Sequence, residues 1–178
     1  MIEEKQNDAG VRDPFATILE HLTGRTESLA RGGGLTNAAL LEAIAAAVVN
    51  AVGEAVATGT DLIPASKAIV LGVLRGTEAR GEAALQILSM TARTIVRHTA
   101  DRGGNLGAVA KGLVLGAIAG SKAMGVDVAR AGAAAAQGAY EGAVGAGPVT
   151  VERVLGALKE PIGGIRLSLP EPVVTLPR

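Results

Sequence analysis

Residues 44 positions apart in this chain match along more than one helix's length of sequence. Lys67, Val70, Leu71, Gly72, Gly76, Ala79 and Gly81 recur as Lys111, Val114, Leu115, Gly116, Gly120, Ala123 and Gly125. Between them lie conservative pairs: Ile69 with Leu113, Leu74 with Ile118, Thr77 with Ser121. The offset extends upstream, where Leu41, Ile44, Val52, Gly59, Asp61 and Leu62 meet Leu85, Leu88, Val96, Gly103, Asn105 and Leu106. A period in the forties accommodates two helices and two turns, the pattern of stacked helical hairpins that bury their apolar faces only against neighbours. The expected fold is all-α: about seven helices as stacked antiparallel hairpins, followed by an extended proline-containing tail.

Breaker and cap signals divide the chain accordingly. Asp13-Pro14 opens a helix to about Ala30, with Asp as N-cap and Pro in the first turn. Arg31-Gly-Gly-Gly34 ends it, and Thr36 or Asn37 caps the next, which carries Leu40, Leu41, Ile44, Val48, Val52 and Val56. Further helices are expected over about 62–78, 82–100, 106–122 and 126–143, and Thr150 opens a short last one that Pro161 ends. Asn105 is the expected cap of the fifth of these seven, Asp127 lies at the start of the next, and Gly145 to Pro148 reads as a break. The domain map is a flexible segment 1–12, a helical-repeat domain 13–160, and an extended tail 161–178. Within the domain, units of about 59–102 and 103–146 follow a degenerate unit 14–58 and precede a half unit 147–160.

The core must be built from small side chains. The 178 residues include 25 glycines, one Phe, one Tyr and no Trp, although 48% are hydrophobic. Burying one methylene contributes about 0.8 kcal/mol, against about 1.5–3 for a whole Leu or Phe side chain. Close backbone approach therefore has to supply what bulky side chains would. Gly72, Gly76, Gly112, Gly116 and Gly120 fall mid-helix at four-residue spacings. Each costs about 0.8–1.0 kcal/mol relative to Ala, roughly 4–5 together, a large fraction of a domain's net 5–15. Such a stripe is tolerable where another helix needs the space, either between neighbouring repeats or across a homodimer.

Chemistry is sparsely signalled. There is no cysteine, which excludes disulfides, thiolate metal sites and cysteine nucleophiles. His21 and His98 have no partner at metal-ligand spacing, so no metal site is expected. The carboxylates Glu42, Glu54, Glu78, Glu82, Asp101, Asp127, Glu141 and Glu152 form no local acid–base pair, and no catalytic residue or cofactor is assigned. Glycine-rich turns at 31–36 and 102–105 precede helices without the strand that a phosphate-binding loop follows, so turn chemistry accounts for them. Tyr140, the lone tyrosine, fills a gap or meets another subunit. Arg93, Arg97 and Arg102, with Arg80 nearby in sequence, are the one candidate interaction face.

Net charge is zero and stacking aromatics are lacking, which speaks against nucleic acid. The longest stretch free of Asp, Glu, Lys and Arg runs from Ala43 to Gly53, short of the 18–20 residues a spanning helix needs, so no transmembrane segment is expected. The polar start MIEEKQNDAGVRD gives cytoplasmic residence as the expectation. The function that fits is a non-enzymatic helical-repeat protein for protein–protein interaction or self-assembly, its partner another protein or itself as a homo-oligomer. The alternative is a peripheral coat on a hydrophobic surface, such as a membrane face or storage granule. Interfacial helices usually carry Trp or Phe, and this chain has almost no aromatics. A ligand-binding bundle or enzyme stands third, for want of convergent polar and aromatic residues.

Overall fold

The computed structural model describes residues 37–169. Among these the protein is all helical: α1 (Asn37–Ala57), α2 (Leu62–Thr77), α3 (Gly81–Asp101), α4 (Leu106–Met124), α5 (Val128–Ala146) and α6 (Pro148–Leu158). The segment 1–12, the helix expected at Asp13–Ala30 and the end of the tail lie outside the described residues.

Short polar side chains start three of these helices. Asp61 accepts the Ile63 N–H at 3.0 Å, Asn105 the Ala108 N–H at 3.1 Å, and Asp127 those of Ala129 and Arg130 at 2.9 and 3.3 Å. Each carboxylate or amide oxygen satisfies a donor that has no partner within its helix. Asp61 and Asn105 stand 44 residues apart, as do Gly59 and Gly103 just before them, with φ of +67° and +69°. The break expected over Gly145 to Pro148 is narrower than the sequence suggests. α5 runs to Ala146 and α6 begins at Pro148, so Gly147 alone separates them, at φ +113°. Pro is well suited to a helix's first position because its missing N–H would be unbonded there anyway. Gly147 then carries the entire change of direction, in a conformation that L side chains rarely adopt.

The helices lie in two rows. α1, α3 and α5 contact one another in series, and α2, α4 and α6 do the same, with consecutive helices crossing between rows. The α3–α5 pair is the most extensive and α2–α4 the next. Ile44, Ile69, Leu88, Ile95, Leu113, Met124 and Leu158 fill the space between rows. Against them α5 contributes only methyl groups: Ala131, Ala135, Ala136, Ala139 and Ala143.

Glycine sets how near the paired helices come. A Cβ at Gly138 would strike the carbonyl of Ser89 on α3, and one at Gly142 would sit 2.5 Å from the Arg93 carbonyl oxygen. In the other row a Cβ at Gly112 would strike the Ile63 carbonyl of α2. At Gly116 it would lie 2.9 Å from Val70 Cβ and 3.0 Å from the Lys67 oxygen, and at Gly120 2.8 Å from Leu74 Cδ1. Four residues onward in one helix is four residues onward in its neighbour, so each pair runs parallel. Real Cβ atoms do not sit at such distances, and the missing side chains are what admit backbone contact.

After α6 the chain makes a tight turn, Ile162 and Ile165 exchanging backbone hydrogen bonds at 3.0 Å around Gly163-Gly164. It then runs extended across α4 and α5. Ile162 is buried, Gly163 lies over Leu115 and Ile118, and Leu167 fits against Gly132. Leu167 and Leu169 are partly buried on the core.

Candidate interaction surface

The three arginines do not form one stripe. Arg93 and Arg97 are exposed on α3 and border α5: the Arg93 guanidinium is 3.8 Å from Glu141, and Arg97 Nη1 lies 3.7 Å from where a Gly145 Cβ would be. Arg102 turns the other way. Its guanidinium covers Gly53 of α1, with Cζ 3.0 Å from the position of an added Cβ. Gly53 thus gives Arg102 a seat, and only Arg93 and Arg97 share a surface.

That surface is laced with ion pairs between helices of the same row. Arg130 on α5 reaches Glu82 on α3 at 2.9 Å, below the Arg93–Glu141 contact, and Gln137 donates to Glu141 at 3.0 Å. In the second row Lys111 of α4 pairs with Glu160, just beyond α6, at 2.8 Å. The lysine's hydrogen bond and its positive charge hold the Glu160 carboxyl below the usual glutamate range. All these groups are solvent-exposed to a considerable degree, so water screens the pairs and each contributes little to stability. Their sequence separations, 48 and 49 residues, equal the 44-residue offset plus about one helical turn. Sequence reasoning could have found them by that rule.

A groove of 350 Å³ opens between the C-terminal ends of α2 and α4, lined by Leu71, Leu74, Arg75, Glu78, Arg80 and Met124 among others. Its rim carries both signs of charge. A shallower depression runs along Gly103 to Gly107 beside Arg153 at the start of α4. His98 is half-buried near the end of α3, and His21 lies outside the described residues. Among the described residues no group of three His, Asp or Glu side chains is close enough to hold a metal ion. Thr91, 1% exposed on α3, has a hydroxyl with no hydrogen-bond partner there.

The glycine stripe Gly112, Gly116, Gly120 is buried within the chain against α2, and Gly72 and Gly76 are buried on α2 itself. The sequence reading overlooked the tighter set on α5, Gly138 and Gly142, because that helix reads as a run of alanine. Their four-residue spacing was the available signal.

One helix among the described residues, α4, is long and apolar enough by length and composition to cross a membrane, and 56% of its most apolar window is buried here. Burial comes from α2, α5 and α6, and Lys111 within it carries the pair to Glu160. No family model, curated protein or solved structure matches the chain.

Proposed function

We propose that this chain is a non-enzymatic helical-repeat protein that works by protein–protein interaction, with a second copy of itself as the first partner. The observation that carries this is the recurrence of one contact: parallel helices whose equivalent positions lie 44 residues apart meet backbone to backbone at glycine, α4 on α2 and α5 on α3. That recurrence supports stacked antiparallel hairpins, with units of about 59–102 and 103–146. A stack of this kind presents long rows of exposed helix surface and ends without a neighbour. Glycine sets the contacts within each row, and the exposed surfaces of the rows are left to carry recognition.

The test is sedimentation of the full chain over a wide concentration range, together with capture of host protein, lipid and nucleic acid by the tagged chain. A defined oligomer, or one protein recovered in stoichiometric amount, supports the proposal. A monomer at every concentration that recovers only lipid or nucleic acid contradicts it.

A further inference from the structure

We infer that the outer face of α5 is where two copies of this chain dock, the two α5 helices antiparallel about a two-fold axis near Gln137. The inference deepens the self-association proposed above and rests on it.

Ala129, Ala133, Gln137 and Val144 are exposed and Tyr140 is half-buried, at spacings of four and three that place them in one row. The row lies on the side of α5 away from Gly138 and Gly142, which face α3. Four of its five residues are apolar or aromatic. Val144, in the row, is one of three large aliphatic side chains exposed among the described residues, at 54%.

The same helix surface already accepts a helix one step earlier. Positions 44 before Ala133 and Gln137 are Ser89 and Arg93, whose backbone receives Gly138 and Gly142. Among the described residues, α5 therefore presents bare the surface that α3 has covered. Head-to-tail continuation through another copy's α1 could not repeat the glycine contact: two offsets before Gly138 and Gly142 (138 − 88 and 142 − 88) stand the exposed side chains Asn50 and Glu54.

Charge selects the antiparallel arrangement. Arg130 and Glu141 flank the row on the edge nearest α3, where they pair with Glu82 and Arg93. In an antiparallel pair, residues opposite each other have a constant sum of numbers. Ala129 with Val144 and Ala133 with Tyr140 both sum to 273, while Arg130 and Glu141 sum to 271. Each copy's Arg130 thus falls within about one turn of the partner copy's Glu141 along the helix. A parallel two-fold arrangement would carry the two copies' Arg130 and Glu141 to opposite edges of the contact, where neither meets its counterpart.

The chain has no cysteine, so one introduced thiol reports on one contact. Gln137→Cys in the full chain, mildly oxidised, is expected to give a covalent dimer. Gln86→Cys, also exposed but on α3, is expected to stay unlinked. Without oxidation the unaltered chain should sediment at twice 17.7 kDa. Ala133→Arg should return it to monomer with helix content unchanged by circular dichroism. A dimer that crosslinks through Gln86→Cys, or that survives Ala133→Arg, overturns this inference and leaves self-association standing. A chain that stays monomeric overturns it too, and if no stoichiometric protein partner is captured, the proposed function fails with it.

Discussion

The α3–α5 and α1–α3 contacts occupy equivalent places in one row of helices, yet they are built differently. α5 meets α3 with Gly138 and Gly142, and the pair is the most extensive in the molecule. One offset earlier, the positions on α3 are Thr94 and His98, both half-buried, and among the described residues α1 contacts α3 less extensively. Removing side chains at two consecutive turns lets backbones touch and multiplies dispersion contacts on either side. The same row therefore contains one junction set by glycine and one whose equivalent positions on α3 keep their side chains.

The largest expected effect comes from filling the glycine junction. Gly138→Leu or Gly142→Leu has to push α5 off the α3 backbone, and overpacking of this kind typically costs about 1–3 kcal/mol and occasionally more. Here the obstacle is a carbonyl rather than a side chain that can rotate away, so the upper end is expected, read as a large drop in melting temperature. Gly116→Leu comes next: its obstacles are Val70 Cβ and the Lys67 carbonyl at 2.9 and 3.0 Å, and a similar but smaller drop is expected. At the other junction, His98→Ala should change stability by no more than about 0.5 kcal/mol in urea unfolding, because no close backbone contact depends on that side chain.

The smallest effect concerns the exposed pair of Lys111 and Glu160. A lowered carboxyl pKa means that the pair's contribution is present above the unfolded-state pKa and is lost as pH falls through the lowered folded value. In Lys111→Met the Glu160 carboxyl should titrate higher, followed by NMR, with the melting temperature at neutral pH barely changed.

Much of the fold was legible because it depends on local chemistry. Asn105 was expected as a cap and serves as one. Asp127, placed at a helix start, caps α5, and the turn through Asp61 opens α2 where expected. Those roles need only a short polar side chain ahead of an apolar row. The break before α6 was misjudged because Gly145 and Pro148 look like breakers wherever they stand. Gly145 in fact ends up inside α5, and Pro148 opens α6. The arginines were harder. Whether Arg97 and Arg102 share a face depends on which neighbour each reaches, and Gly53, a helix away, is what draws Arg102 to α1. Glycine function was legible in α4, where the stripe stands among Leu, Val and Ile. It was hidden in α5, where alanine surrounds it and periodicity carries no contrast.

The central claim is that glycine is used where a neighbouring helix backbone arrives, and its most direct test pairs two alanine substitutions in urea unfolding. Gly138 has the Ser89 carbonyl in the place of a Cβ, whereas Gly156, inside α6, has nothing within 4 Å of that place. The prediction is opposite signs: Gly138→Ala destabilises by at least about 1 kcal/mol, and Gly156→Ala stabilises by up to about 1 kcal/mol through helix propensity. If Gly138→Ala is neutral or stabilising like Gly156→Ala, the helices are not held at backbone contact and the account is wrong.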